Sequence, residues 1–302
     1  MPTCGPADFE GNPMTNLYER EDAYIPRVAA IHDLCGYGKC SLGVAIPVLS
    51  AAGCDVCPVP TGLFSSHTAF PGWYMHDTTD ILGDYLAAWA GIGVELDAVY
   101  SGFLGAPEQV DIIKQVWETY PKALRVVDPV MADHGKVYPT YTPELVEAMG
   151  TLANGADILT PNLTEAAIIL GEPIGDEWAG TDISDEEAHR LVDALVAKGA
   201  KHVVLKGIQR EGETCIRNFV GGVDMDTVEV HNEYLPYMLH GTGDLYASCL
   251  MAAVMAGRTL EEAVRFAGDF VHDAMIVSAK QPEFRDRGVS FEPLLGKVCE
   301  LL

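Results

Sequence analysis

Residues 241–253 read GTGDLYASCLMAA, a turn with two glycines followed at once by an apolar helical run. Two glycines at a helix start let backbone N–H groups converge on an anion, and the helix dipole adds positive potential there. Asp244 lies in this first turn, where a carboxylate can accept the proton of a hydroxyl held within hydrogen-bond reach. The same residues are equally well explained as turn glycines with Asp244 as an ordinary capping side chain. The stretch therefore predicts either an anion-binding turn with a base or a plain helix start.

Upstream of this turn, short β-type runs alternate with helical runs from Arg27 to Leu170. This alternation predicts an α/β fold, a mainly parallel central sheet flanked by helices. Capping-box patterns that begin at Ser184 and Thr259 mark the starts of two further helices.

Three closely spaced β runs follow without helices between them: Lys201–Lys206, Thr214–Val220 and Thr227–His231. Turn residues separate them, so they predict a small antiparallel β extension at one edge of the sheet.

The chain-wide composition sets limits on domains and partners. Residues 1–26 show no clear periodicity and are expected to be a loosely ordered leader, and residues 27–302 are expected to form a single domain. The net charge is -25, from 19 Lys+Arg and 44 Asp+Glu, which disfavours nucleic acid and anionic membrane as partners. No apolar stretch has membrane-spanning length and no signal segment is evident, so the sequence predicts a cytoplasmic protein. Any bound phosphate must find positive groups or N–H donors at a few local positions.

Polar residues follow three of the predicted strands. Asp128 begins Asp128-Pro129-Val130, Thr160 begins a segment that runs to Glu165, and Lys206 closes a β run. Open α/β sheets bind ligands at the carboxyl ends of their strands. Three plainer explanations stay open: Asp128 as a turn former before proline, Glu165 as an exposed carboxylate in a first helical turn, and Lys206 as a solvated lysine.

In this order, the segments D-P-V, T-P-N-x-x-E and G-T-G-D resemble the pyridoxal kinase branch of the ribokinase-like kinases, from about Arg27 to Ala279. The resemblance implies a ribokinase-like fold, ATP and Mg²⁺ as cofactors, and transfer of a phosphoryl group to the 5′-hydroxymethyl group of a pyridine. It leaves a monovalent cation, K⁺, open and implies a homodimer. It makes Asp244 the base and Gly241 and Gly243 the anion hole. By the same resemblance the nucleotide and its metal are bound by Asp128, Thr160, Asn162, Glu165, Lys206 and Thr242, with Asp128 and Glu165 organising the magnesium.

The substrate region is expected near the N-terminal part of the domain. An aromatic pyridine needs stacking faces and a few polar groups. Together with Asp244, the candidates for substrate contact are Asp33, Tyr37, His67, Thr68 and Ala69. A hydrogen-bonded core histidine is the alternative for His67, and ordinary packing is the alternative for the aromatic residues.

One departure from the resemblance concerns Asp33. Pyridoxal kinases usually read S-H-V at the end of the first strand, whereas this chain reads Ile31-His32-Asp33. The added carboxylate could pair with a protonated ring nitrogen or with a substrate amine. The hypothesis that follows is a preference for pyridoxamine over pyridoxal.

Two other functions are alternatives to a pyridoxal kinase. A hydroxymethylpyrimidine kinase of thiamine synthesis would use the same base, but the Gly-rich start usual after its first strand is missing here. A nucleotide-binding regulator without turnover is disfavoured by the presence of both Asp244 and Lys206.

Overall fold

The computed structural model describes residues 16–174 and 183–302, so the prediction for residues 1–15 lies outside the described residues. The strands are β1 (Arg27–Cys35), β2 (Asp55–Phe64), β3 (Met75–Asp77), β4 (Ala98–Ser101), β5 (Leu124–Val127), β6 (Ala132–Asp133), β7 (Lys136–Val137), β8 (Ile158–Leu159), β9 (His202–Gln209), β10 (Cys215–Gly222) and β11 (Met225–Glu233). The helices are α1 (Leu42–Ala51), α2 (Thr79–Gly91), α3 (Pro107–Thr119), α4 (Pro143–Gly150), α5 (Leu163–Leu170), α6 (Asp185–Ala197), α7 (Thr242–Met255), α8 (Leu260–Ser278), α9 (Phe284–Arg287) and α10 (Leu295–Cys299).

The main sheet has nine strands in the order β11-β10-β9-β8-β5-β4-β1-β2-β3. Strands β9, β8, β5, β4, β1 and β2 run parallel to one another, and the edge strand β3 pairs antiparallel with β2. Strands β10 and β11 pair antiparallel beyond β9, which confirms the predicted extension. The α/β fold with a mainly parallel sheet is therefore confirmed.

Both faces of the sheet are covered, which explains the continuous apolar runs in its strands. Side chains alternate between the faces: Val127 and Leu159 belong to one core cluster, and Val126 and Ile158 belong to the other. The second cluster also contains most of α7, because its residues from Leu245 to Met255 are all buried. That burial fixes the start of α7 against the sheet.

The predicted capping boxes differ from one another in the structure. At Thr259 both reciprocal hydrogen bonds with Glu262 are present. Ser184 accepts from the Glu187 N–H, but the Glu187 carboxylate accepts from the Arg190 guanidinium instead of returning to the cap. Competition from Arg190 therefore removes the return hydrogen bond of the predicted box at Ser184.

The first strand, β1, starts at Arg27. The described part of the leader, residues 16–26, lies against the domain: Arg20 donates to the carbonyls of Ala52 and Gly53 at 2.8 and 3.0 Å, and the Tyr24 hydroxyl donates to Asp97 at 3.0 Å. Within the described ranges, every helix is too short or too polar to cross a lipid bilayer.

Candidate active site

Polar side chains meet at the carboxyl edge of the parallel sheet. Asp33 lies near the end of β1, Asp128 directly follows β5, Thr160 directly follows β8, and Lys206 lies in β9. Because these strands run in one direction, their ends share one edge, which is where α/β sheets place ligands. The first turn of α7 brings Asp244 to the same edge, where it interacts electrostatically with the first two carboxylates.

Asp128 and Lys206 form an ion pair, and the Thr160 hydroxyl donates to the same Asp128 oxygen at 2.9 Å. Burial lowers the pKa of Lys206, but Asp128 and Glu165 more than offset this, so its pKa is raised. Its side chain is only 12% exposed. Lys206 is therefore not a solvated lysine, and its charge is already opposed by protein carboxylates.

Asn162 and Glu165 form a capping box at the start of α5. One Glu165 oxygen accepts from the Asn162 N–H at 2.8 Å, the other accepts from the Met131 N–H at 3.2 Å, and the Asn162 amide accepts from the Glu165 N–H at 2.9 Å. Burial raises the pKa of Glu165 to about 8, with Lys206 opposing the rise and Asp128 adding to it. Glu165 is thus buried, unlike the exposed carboxylate that the sequence left open.

The carboxylates of Asp128 and Glu165 fit a magnesium ion that arrives with a nucleotide. Residues 16–174 and 183–302 contain no group of three or more His, Cys, Asp and Glu side chains arranged to hold a metal alone. Mg²⁺ commonly takes one or two protein carboxylates and completes its shell with water and substrate phosphates. Asp128 raises the pKa of Glu165, and a nearby cation would relieve this repulsion between like charges.

The glycine turn before α7 is not capped by Asp244. Gly241 is the N-cap residue, with φ 82° in the left-handed region, and no side chain makes a cap hydrogen bond there. A Cβ at Gly241 would overlap the carbonyl oxygen of Lys39, whereas Gly243 has open space around it. The Thr242 hydroxyl donates to the Leu239 carbonyl at 3.1 Å. The plain helix-cap explanation therefore does not describe this turn.

Asp244 has the electrostatic setting of a base that works near neutral pH. Burial raises its pKa to about 7, and the charges of Asp128 and Asp33 add to the rise. The Ser41 N–H and Lys206 oppose it. A carboxylate whose pKa lies near the working pH has the best balance of availability and basicity for proton transfer.

Asp33 is a second buried carboxylate on this edge, 6% exposed. Burial raises its pKa to about 6, while the Ser41 side chain and the backbone of Asp33 itself oppose the rise.

The other substrate candidates form a cluster beside the glycine turn. The His67 ring lies 4.5 Å from the Phe70 ring and 4.8 Å from the ring of His240, which directly precedes Gly241. Its Nε2 bonds the Asp286 carbonyl at 2.9 Å and its Nδ1 accepts from the Ala69 N–H at 3.3 Å, so both nitrogens have protein partners. This is the hydrogen-bonded histidine of the alternative explanation.

Three candidates of this cluster remain open to solvent. Tyr37, Thr68 and Ala69 are exposed, and the Tyr37 ring lies 5.3 Å from the ring of Phe70. These loop residues are thus more exposed than the polar residues at the strand ends.

Comparisons with known proteins agree with this geometry. Residues 49–286 match the family described as phosphomethylpyrimidine kinase. Pyridoxal kinase PdxY of Histophilus somni strain 2336 is 29% identical over 270 residues, covering 83% of this chain and 88% of that protein. Pyridoxal kinase PdxY of Pseudomonas aeruginosa strain UCBPP-PA14 is 25% identical, with the same coverage.

Solved structures show the same similarity. A Bacteroides thetaiotaomicron protein, provisionally designated a phosphomethylpyrimidine kinase and crystallised with pyridoxal, is 33% identical with a TM-score of 0.85, covering 91% of this chain and 96% of that one. Pyridoxal kinase from Lactobacillus plantarum is 28% identical with a TM-score of 0.82, covering 92% and 98% of the two chains.

Proposed function

This chain belongs to the phosphomethylpyrimidine kinase family, and we propose that within it the protein is a pyridoxal kinase, which transfers the γ-phosphoryl group of ATP to the 5′-hydroxymethyl group of vitamin B6 compounds. The curated relatives carry that name, and a relative that is 33% identical was crystallised with pyridoxal. The observation that carries the proposal is Asp244, a carboxylate with its pKa raised to about 7 in the first turn of α7, behind a glycine turn that no side chain caps.

The proposed reaction uses Asp244 as the general base. The substrate O–H bond breaks as its proton moves to an Asp244 carboxylate oxygen, the hydroxyl oxygen bonds the γ-phosphorus, and the bond from that phosphorus to the leaving ADP oxygen breaks. Backbone N–H groups of residues 241–243 and the positive end of α7 stabilise negative charge on the phosphoryl oxygens.

The remaining candidates would hold the nucleotide. Lys206, Thr160 and Asn162 lie together at the strand ends, and Thr242 belongs to the glycine turn. Mg²⁺, when bound, would supply charge neutralisation at the phosphates, and Asp128 and Glu165 would hold it.

A coupled assay of ADP release tests the function and the base together. Pyridoxal, pyridoxamine, pyridoxine and hydroxymethylpyrimidine are each offered to the wild type and to Asp244→Asn. We expect turnover of the three B6 compounds by the wild type and a loss of about 10²-fold to 10⁴-fold in kcat in the variant. Retained activity in the variant would refute the assignment of Asp244 as the base. No turnover of any of the four compounds by the wild type would favour the alternative of a nucleotide-binding regulator.

Hydroxymethylpyrimidine kinase stays the second candidate, because the family description names a pyrimidine substrate. The same four-substrate assay separates the two. A higher kcat/KM for hydroxymethylpyrimidine than for every B6 compound would replace the proposed function with this one.

We propose further that Asp33 makes pyridoxamine the preferred substrate. A buried carboxylate with its pKa raised to about 6 is stabilised when a cationic amine comes beside it, and an aldehyde offers no such charge. The measurement is the ratio of kcat/KM for pyridoxamine to that for pyridoxal, which we expect to exceed one and to fall toward one in Asp33→Val. Equal turnover of pyridoxamine and pyridoxal by the wild type, unchanged in Asp33→Val, would refute this role of Asp33.

A homodimer is also proposed. Leu63, Trp73 and Tyr74 are exposed apolar side chains on or beside β2 and β3, at the end of the described sheet. Light scattering should give twice the chain mass of 32.5 kDa, and Trp73→Ser with Tyr74→Ser should shift the protein toward the monomer. A cytoplasmic location and the use of K⁺ stay predictions, and replacing K⁺ by Na⁺ in the assay tests the second.

A further inference from the structure

A surface cavity lies at the amino edge of the sheet, away from the candidate active site. It has a volume of about 610 Å³, and residues of α3, of β5 and of the loop before β8 line it. Arg125, which lines the cavity, is the second residue of β5, whereas Asp128 follows the last residue of that strand. A strand rises about 3.3 Å per residue, so the two residues lie about 10 Å apart along the backbone. The cavity is therefore distinct from the polar residues at the carboxyl edge.

Positive side chains dominate this cavity. Lys114, Arg125 and Lys198 line it, and Glu118 is the one carboxylate among the described residues of the lining. None of the three cations forms an ion pair with a residue in the described ranges. The whole chain has 19 Lys+Arg against 44 Asp+Glu, so three cations without a carboxylate partner in one cavity reverse the prevailing charge locally. Such a cavity attracts anions.

The loop before β8 holds two of these cations in place. The Lys114 ammonium donates to the Thr151 hydroxyl at 2.8 Å. The Arg125 guanidinium donates to the carbonyls of Gly155 and Trp117 at 3.5 and 3.4 Å, and lies 5.3 Å from the centroid of the Trp117 ring. An ammonium has three N–H donors and a guanidinium has five, so both side chains keep donors for a ligand.

Lys198 is brought to the same loop by the glycine that follows it. The Gly155 N–H donates to the Gly199 carbonyl at 3.2 Å, and a side chain at Gly199 would overlap Asn154. Lys198 itself is exposed, and its ammonium makes no hydrogen bond to a residue in the described part of the chain. It can therefore turn toward an anion that enters the cavity.

A second cavity with apolar walls adjoins the first. It has a volume of about 700 Å³, and its lining includes Val146 and Ile168. The two cavities share Thr151 and Lys198, so the apolar walls begin where the cations end. A ligand with an anionic end in the first cavity could place an apolar ring or chain in the second.

We propose that the first cavity binds the phosphate group of an organic phosphomonoester whose apolar part lies in the second cavity. Phosphate oxygens accept charge-assisted hydrogen bonds from ammonium and guanidinium groups. A volume of about 610 Å³ is typical of sites for organic ligands, and inorganic phosphate would leave the apolar walls uncovered. The inference is independent of the proposed function, because none of its residues belongs to the candidate active site.

Isothermal titration calorimetry on the full chain tests the site with two probes, phenyl phosphate and inorganic phosphate. Phenyl phosphate should bind about tenfold more tightly, because its ring buries apolar surface. Lys114→Gln with Lys198→Gln should raise the Kd of phenyl phosphate at least about tenfold, because two cationic donors are lost. Both changes are at the surface, so Tm should stay within about 2 °C of the wild type.

A matched control separates this site from a general effect of charge. Lys122→Gln with Lys280→Gln removes the same net charge from two exposed lysines that line neither cavity. It should change the Kd of phenyl phosphate less than about threefold, because exposed charges far from the ligand are screened.

Trp117 offers a second, local measurement. Its indole N–H is buried and has no hydrogen-bond partner among the described residues, and its ring lies under Arg125. In a spectrum of the tryptophan indole N–H groups, the resonance that disappears in Trp117→Phe should shift when phenyl phosphate is added to the wild type. It should not shift at the same concentration in Lys114→Gln with Lys198→Gln.

Three results would overturn the proposal. The first is a wild-type Kd in Lys114→Gln with Lys198→Gln, which would place the binding elsewhere, including the candidate active site. The second is an equal Kd for phenyl phosphate and inorganic phosphate. The third is no saturable binding of phenyl phosphate up to about 10 mM. None of these measurements requires turnover, so they are decided separately from the proposed function.

Discussion

Asp33→Asn should stabilise the protein, and should do so more strongly at alkaline than at acid pH. The folded-state pKa of Asp33 is raised from 3.8 to about 6 by burial. A raised carboxyl pKa means that the folded state holds its proton more tightly than the unfolded state, so stability is fully present below about pH 4 and is lost as pH rises through 6. At 1.36 kcal/mol per pKa unit the loss is about 3 kcal/mol, and the asparagine variant does not suffer it.

Thermal unfolding followed by circular dichroism between pH 4 and pH 8 measures this difference. For a chain of this size about 3 kcal/mol corresponds to about 6 °C in Tm. The Tm of the variant relative to wild type should rise by about that amount between pH 4 and pH 6.5 and then level off. Asp84→Asn, which changes an exposed aspartate on α2, should show no such trend. A Tm difference for Asp33→Asn that is constant across the range, or that shrinks as pH rises, would refute the reasoning.

Three further changes probe the site. Lys206→Met leaves the Asp128 carboxylate buried without its ion-pair partner, and should lower the free energy of unfolding by about 3 to 5 kcal/mol in denaturant titrations. The double variant Lys206→Met with Asp128→Asn should lose less, because it has no buried charge left unpaired. Gly241→Ala should lower both Tm and kcat, because the alanine Cβ would overlap the Lys39 carbonyl oxygen. Gly243→Ala should keep the wild-type Tm, because the space around Gly243 is open. The kcat/KM of the wild type should fall as pH drops through about 7, where Asp244 becomes protonated, and a profile flat from pH 8 to pH 5.5 would contradict the base assignment.

The parts of the fold that follow local rules were predictable from the sequence. The alternation of β and helical runs indicated a parallel sheet, and three β runs without helices indicated the antiparallel edge, which β9, β10 and β11 form. The location of Asp128 at the carboxyl edge followed from strand direction alone, whereas β9 continues to Gln209, beyond the predicted strand end at Lys206. The direct pairing of Asp128 with Lys206 did not follow, because the sequence does not state which strand ends are neighbours.

Local patterns fail to predict the structure where tertiary contacts override the common use of a residue type. Ser41 matches the pattern of an N-cap, but it makes no side-chain cap hydrogen bond and has φ 51°. Glu165 also matches an exposed first-turn acid, which is the alternative that the sequence left open, yet it is buried and accepts from the Met131 N–H. Met131 lies 34 residues earlier in the chain, where periodicity and spacing carry no information about the contact.

The acidity of the chain raised the question of what attracts a nucleotide, and the site gives an answer in terms of charge balance. Lys206 is the cation beside the phosphate region, but its charge is matched by Asp128 in direct contact and by Glu165 and Asp244 nearby. Three carboxylates around this one ammonium, with Asp33 as a fourth on the same edge, leave the edge net negative whenever Asp244 and Glu165 are ionised. In the proposed function, the N–H groups of residues 241–243 and a divalent cation that reverses the sign of the carboxylate charges supply the attraction for ATP. Under the proposed function, Lys206 orients Asp128 through their ion pair, so metal affinity and nucleotide affinity are expected to fall together when the pair is broken.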